Sequence, residues 1–498
     1  MNIANLFLSA AKAYPHNIAI IDTKKSISYA DLAREVKETA AYFKEQGIGT
    51  GDRVLVFVPM GIDLYRIVLA LFYIGATAVF LDEWVSKKRL ELCCQLANCK
   101  GFIGVFKAQL YSLFSKELRR VPIKLKLKKK LPFAPAIAEV ESNFPALITF
   151  TTGSTGVPKA ANRTHGFLKH QFDALLDEID PQASDVDMPV LPIVLFVNLG
   201  VGCTSVIADF KMTKPDRLDP KVIEKQIKLH KVNRITASPF FIKTLSEYAI
   251  QNHQYFAGIQ KIFTGGAPVF PSESALYLKA FPRAQSMIVY GSTEAEPISS
   301  IAAKTLAKTP QNLPHGLPVG EPYHQTDLRI IEISDKAIPA RSAGELAKMS
   351  LQNGEIGEII VSGPHVLKQY FKNDEAIRTN KIFVEEVIWH RTGDSGLVMG
   401  NKLFLTGRCC QLIKSKEGYL SPFIIENKLQ NIVGITIGTL TRIEDEDILV
   451  VESPLSLNKL KPLLGDIPHH KIVIVKRIPR DLRHNSKIDY AQLKVMLR

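Results

Sequence analysis

The apolar run Leu147-Ile148-Thr149-Phe150 leads directly into Thr151-Thr152-Gly153-Ser154-Thr155-Gly156-Val157-Pro158-Lys159. Such a run reads as a buried strand. A buried strand that opens onto glycines and hydroxyls belongs to a sheet whose strand ends face a ligand. Glycines let backbone N–H groups approach phosphate oxygens, hydroxyls add donors, and Lys159 supplies a cation. The spacing does not fit G-x-x-x-x-G-K-[ST], so this is not a Walker loop. The plain alternative is a polar strand-to-helix connection. The coincidence of strand, loop composition and closing lysine favours phosphate.

Strands and helices alternate around this segment. Tyr29-Ala30-Asp31-Leu32 opens an amphipathic helix that runs to about Gln46 and is closed by Gly47 and Gly49. Residues 53–58 read as a strand, 62–74 as a helix and 76–81 as a strand; later, 234–237, 261–264 and 286–290 read as strands and 239–251 as a helix. That alternation implies parallel sheet and βαβ units. After about Gly363 loops and short strands lead to Gly407-Arg408, and the last ~90 residues read as a small mixed unit that needs packing against the rest. The expected fold is α/β. A large multi-subdomain N-terminal domain, 1–407, has mostly parallel sheets flanked by helices, and a small mobile mixed α/β C-terminal domain, 408–498, follows a hinge near 407–411.

At 498 residues the chain exceeds one ordinary core, and 46% apolar with 22% charged residues fits a folded protein. A formal net charge of +14 suits anionic partners such as nucleotides, phosphates or an anionic membrane surface. Six scattered cysteines without a CxxC argue against a zinc or thioredoxin-like site and read as free thiols. The start, Met1-Asn2-Ile3-Ala4-Asn5, lacks a signal peptide's basic residues. The apolar stretch 188–208 is broken by Pro189, Pro192, Asn198, Gly200 and Gly202, so it reads as buried strand, loop and helix. A cytoplasmic protein, at most peripherally attached to membrane, is expected. The run KLKLKKK at 124–130 reads first as a solvated surface strand or loop and second as a patch for anionic lipid.

Three further segments carry chemistry. Val289-Tyr290-Gly291-Ser292-Thr293-Glu294 follows a strand. There Glu294 is a hard oxygen ligand suited to Mg²⁺ on ATP phosphates, and Tyr290 offers an aromatic face to a purine. In Arg391-Thr392-Gly393-Asp394-Ser395-Gly396 the acid suits ribose hydroxyls, against the alternative of an Asp-containing turn, and Arg408 beyond it suits the same ribose or a phosphate. Near the end, Lys487 lies in Arg483-His484-Asn485-Ser486-Lys487-Ile488, before a short helix. His165 reads either as a packed helix histidine or as a wall of the acyl site.

In this order, the segments resemble the acyl-adenylate-forming superfamily of acyl-CoA synthetases, firefly luciferase and peptide-synthetase adenylation domains. The resemblance covers essentially the whole chain. It implies that 148–159 is the phosphate loop, with Thr152 catalytic. It also implies that Tyr290, Gly291, Ser292, Thr293 and Glu294 form the adenine and magnesium segment, Gly265-Gly266-Ala267-Pro268 lies against adenine, and Asp394 holds ribose. Lys487 matches the catalytic lysine of the mobile C-terminal domain. Within the superfamily, 191–209, Trp389-His390-Arg391, 414–420 and the run ending in Ile488 look closest to the olefin-pathway β-lactone synthetases, whose members adenylate 3-hydroxy acids and close a lactone with loss of AMP. Two departures stand out. Cys410 replaces the hinge aspartate or lysine of many relatives, and Ala160-Ala161 stands where a glycine is common.

The resemblance implies ATP and Mg²⁺ as cofactors, a carboxylic acid as substrate, and CoA or an acyl carrier protein as alternative acyl acceptors. No nucleic acid partner is expected. The mostly apolar segments 194–202, 238–241 and 297–300 favour a fatty or aromatic acid. A CoA ligase, a carrier-protein ligase and, from another class, a non-enzymatic basic binding protein are the rivals.

Overall fold

The computed structural model describes residues 1–81, 87–151, 159–211, 215–415, 418–480 and 488–498. One sheet is six-stranded among the described residues. Within it Arg53–Phe57, Thr77–Phe80, Gly101–Gly104, Ile123–Leu125 and Pro145–Thr151 pair in parallel, as the strand–helix alternation requires. Its last member, Lys159–Thr164, pairs antiparallel with Pro145–Thr151, placing Thr151 opposite Lys159. The 151–159 segment therefore joins two paired strands, which removes the strand-to-helix alternative.

The helix Ile62–Tyr73 is buried almost all round, as a helix apolar on every side must be. It buries Arg66, whose terminal nitrogens donate to Thr39 at 2.6 Å and to Asp63 at 2.9 Å.

A second sheet has 14 strands among the described residues. Its parallel half runs through Ile18–Ile21, Thr204–Val206, Val186–Pro189, Arg234–Ala237, Lys261–Gly265 and Gln285–Ser292. The apolar stretch at 188–208 is thus strand, helix (Pro192–Val201) and strand. At Gln285–Ser292 the pairing turns antiparallel, because a tight connection leads into Ala295–Ala302. The antiparallel half continues through Leu317–Pro322, Lys402–Arg408, Val387–Met399 and Gly357–Ser362.

The short strands expected before Gly407 are in fact a long hairpin, with Val387–Met399 spanning 13 residues. The strand carries two interior glycines, residues that usually interrupt a strand. Gly393 instead takes φ +68° and the register shifts between Ser395 and Gly396, so the strand bends without ending.

Beyond Ile413 a separate three-stranded sheet, Ile437–Ile443, Glu446–Glu452 and Lys471–Val475, packs on Pro422–Gln430 and Tyr490–Leu497 with its own apolar clusters. It meets the larger part through Ser421, which donates to the Thr406 carbonyl at 2.6 Å, and through the Phe423 and Phe270 rings, 5.2 Å apart.

None of the six cysteines forms a disulfide, and four are buried. Among the described residues no helix is long and apolar enough to cross a membrane. The lysine run is partly engaged: Lys130 pairs with Glu35 at 2.9 Å, and Lys124 and Lys129 lie over the Phe102 and Tyr42 rings.

Candidate active site

The carboxyl ends of the parallel strands and the bent hairpin open onto one cleft. Lys159, Gly266-Ala267-Pro268, Tyr290, Gly291, Ser292, Thr293, Glu294, Asp394 and Arg408 all line it. Four segments spread over some 250 residues of sequence converge there. Thr152, Gly153, Ser154, Thr155, Gly156 and Lys487 lie outside the described residues, as does the side chain of Thr151. The described Ile488, Asp489 and Tyr490, just after Lys487 in sequence, line the same cleft.

Local backbone chemistry sets the floor. Gly265 ends a strand directly opposite Val289, where a Cβ would lie 2.4 Å from the Val289 carbonyl oxygen, and Gly266 turns the chain away at φ +84°. Only glycine fits both demands. The pair aims Ala267-Pro268 along the cleft beside Tyr290.

The hairpin supplies the acid. Asp394 stands opposite Arg408 in the strand register, and Arg408 Nε lies 3.0 Å from Asp394 Oδ1. The phenol of Tyr290 donates to Asp394 Oδ2 at 2.8 Å. Both carboxylate oxygens are therefore fixed by donors from different strands, which excludes the simple turn aspartate. The Asp394 charge raises the pKa of Arg408, while burial, then the Asp394 charge, pushes the Tyr290 phenol well above its ordinary value. Although Arg408 has 45% of its side chain exposed, the contact is short and charge-assisted.

The third corner surrounds Glu294. Tyr370 donates to Glu294 Oε1 at 3.0 Å, and the Leu367 amide donates to the Glu294 carbonyl at 2.6 Å. Lys159 donates to Asn380 Oδ1 at 2.9 Å and lies 6.0 Å from the Tyr370 ring centroid. Burial lowers its pKa, against the attraction of Glu294.

Sequence reasoning missed Lys381. It is 1% exposed, donates to the Leu367 carbonyl, and lies 5.5 Å from the Tyr370 ring centroid. Burial brings its pKa down to about 7. Lysine at a strand start reads as surface, and no spacing signal marks it as interior. Its neighbour His390 is buried and held well below its ordinary pKa by desolvation, then by Lys381. His165 is the packed helix histidine: it is 1% exposed, and its Nδ1 accepts the Ile3 amide at 3.1 Å.

The donor set also bears on metal. Among the described residues no cluster of three or more His, Cys, Asp or Glu side chains exists. A lone carboxylate at Glu294 fits an ion that arrives with nucleotide phosphates and keeps several waters, rather than one in a dedicated protein cage.

The chain matches the model of the AMP-binding enzyme family over residues 7–371. It is 28% identical to the olefin beta-lactone synthetase of Xanthomonas campestris pv. campestris, covering 94% of this chain and 90% of that protein. The olefin beta-lactone synthetase of Stenotrophomonas maltophilia is 27% identical over 94% and 91%. Among solved structures, the O-succinylbenzoate Coenzyme A synthetase of Bacillus subtilis in complex with AMP superposes with a TM-score of 0.80 at 20% identity, covering 98% of each chain. That likeness establishes the fold. The family match and the relatives together settle the class of the chain, which belongs to the AMP-binding enzyme family as an AMP-forming ligase.

Proposed function

We propose that the chain activates a 3-hydroxy fatty acid with ATP and Mg²⁺, releases pyrophosphate, and closes the acyl-adenylate to a β-lactone. The observation that carries the nucleotide reading is the fixed carboxylate of Asp394, held by Tyr290 and Arg408 in the cleft that also holds Lys159 and Glu294. A carboxylate with both oxygens oriented is preorganised to accept the two ribose hydroxyls. Gly266-Ala267-Pro268 and the Tyr290 face flank the purine. Thr151, Thr152, Gly153, Ser154, Thr155, Gly156 and Lys159 hold the leaving phosphates. Mg²⁺, held by Glu294, supplies charge neutralisation on those phosphates when bound.

The acid's carboxylate oxygen attacks the α-phosphorus in line, and the bond to the β-phosphate breaks. Positioning and charge stabilisation carry this step. Lys487, from the 408–498 unit moving about a hinge near 407–411, stabilises the charge that develops between carboxylate and α-phosphate. The 3-hydroxyl oxygen then attacks the acyl carbon, AMP leaves with the electron pair of the carbon–oxygen bond, and the hydroxyl proton passes to solvent. Cys410 supports this branch, since it gives the hinge neither the acid nor the lysine that assists the swing to a thioester geometry. Similarity to two β-lactone synthetases over 94% of the chain supports it as well.

The acyl-CoA ligase is the second reading, favoured by similarity to the feruloyl-CoA synthase of Amycolatopsis sp, 25% identical over 85% of this chain. A panel of fatty, 3-hydroxy and aromatic acids, assayed for acid-dependent pyrophosphate release, tests the assignment. Long-chain 3-hydroxy acids are expected to rank first, and a preference for aromatic acids would overturn the substrate reading.

A further inference from the structure

Adjoining the cleft lies a second, smaller space. A cavity of ≈ 50 Å³ sits among the helices Ala4–Ala13, Ile62–Tyr73, His165–Ile179 and Pro192–Val201, walled by Phe7, Phe72, Leu168, Leu175 and Leu199. By the space a water needs, it has room for about three to four water-sized groups. One member of its wall is polar. Gln171 is 1% exposed, and neither its Oε1 nor its Nε2 has a hydrogen-bond partner among the described residues. Desolvating an amide without pairing it is costly, so such a group within an apolar wall marks a place where a partner belongs.

The cavity shares part of its wall with the cleft. Leu147, Ile193 and Phe196 line both the cavity and the cleft. Leu147 lies on the strand that leads into the 151–159 loop, and Phe196 packs edge-on against Tyr65, with ring centroids 4.9 Å apart. These three side chains form the wall that the two spaces share, and Gln171 stands on the cavity side of it.

We infer that this cavity is the distal end of the acyl site and that it receives a polar-tipped acyl chain, whose terminal hydroxyl, carbonyl or amide pairs with Gln171. The inference rests on the reading that the cleft binds an acyl chain. It refines that reading by naming the tail. The apolar wall takes the last methylenes, and the amide, which both donates and accepts, takes the tip. A site built to bond a polar group rejects the analogue that lacks it, because its own buried amide is then left unpaired.

The test compares two homologous series of 3-hydroxy acids, one ending in methyl and one in a terminal hydroxyl, by acid-dependent pyrophosphate release with the full-length enzyme. At one chain length the hydroxyl-tipped acid is expected to win by roughly tenfold or more in kcat/KM. Gln171→Leu should reverse that preference while leaving short acids, which do not reach the cavity, unchanged. A wild-type preference for the methyl-tipped acid at every length overturns the inference, and so does Gln171→Leu altering both series equally. The wild-type comparison stands alone if the variant does not fold. Pyrophosphate release with no acid in either series would instead defeat the acyl-site reading itself.

Discussion

Tyr290 and Asp394 lie 104 residues apart in sequence and are joined by a hydrogen bond of 2.8 Å. The bond ties the end of the parallel half of the large sheet to the bent strand of its antiparallel half. It leaves the Asp394 carboxylate one orientation. Tyr290→Phe removes a donor to a carboxylate, for which ~1.5–3 kcal/mol is usual, so ATP affinity should fall about 10- to 150-fold. Asp394→Asn should cost more, since it removes the charge that Arg408 faces. Calorimetric titration with ATP checks both, and unchanged affinity in Asp394→Asn would remove the ribose role.

Much of this site was legible because its chemistry is local in sequence. The segments at 147–159 and 289–294 each couple an apolar strand to a polar terminus, and that signature needs no tertiary information. Pairing across the sheet was not legible. Nothing near Asp394 announces that Arg408 stands opposite it, and the glycines at 393 and 396 disguised a continuous strand as a turn. Lys381 was invisible for a different reason. A lysine is read as surface by default, and only the packing around Tyr370 and Leu367 makes this one interior.

Lys381 touches two residues that bond Glu294: it donates to the carbonyl of Leu367, whose amide reaches the Glu294 carbonyl, and it lies over the ring of Tyr370, which donates to the Glu294 carboxylate. Lys381→Met keeps the bulk and removes the ammonium. Glu294 should then hold its position less well, and binding of the metal–nucleotide complex should weaken several-fold, with kcat at saturating Mg²⁺ less affected. Titration of Mn²⁺ with ATP, followed by electron paramagnetic resonance, reads the effect without turnover. An unchanged Mn²⁺ isotherm would reduce Lys381 to a packing residue.

Glu426 gives a pH signature. Burial raises its pKa from 4.5 to about 7, although Tyr490 and Thr439 both donate to Oε1. The folded state therefore prefers the protonated acid. Its stabilising contribution is full below pH 4.5 and is lost as pH rises through about 7. Glu426→Gln removes that dependence, so its unfolding free energy relative to wild type should rise between about pH 5 and pH 8, by roughly 1–3 kcal/mol. Thermal melts at the two pH values decide it. A difference that stays constant would place no ionisation at Glu426 in this range.

Lys487 is assigned a role in the adenylation step alone. Lys487→Ala should slow adenylate formation by ~10²–10³, the loss expected for one preorganised charge-stabilising donor. ATP binding should change little, because the 151–159 loop and Asp394 remain. Single-turnover adenylation measured beside an ATP titration separates the two, and near-normal adenylation would contradict the closing of the C-terminal unit.

The fate of the adenylate tests the account most directly. The purified enzyme is incubated with ATP, Mg²⁺ and a long-chain 3-hydroxy acid in the absence of CoA, and the products are identified by mass spectrometry and nucleotide chromatography. The account predicts AMP and pyrophosphate in equal amounts together with a β-lactone. AMP released only after CoA is added, with a thioester as the acyl product, would contradict it.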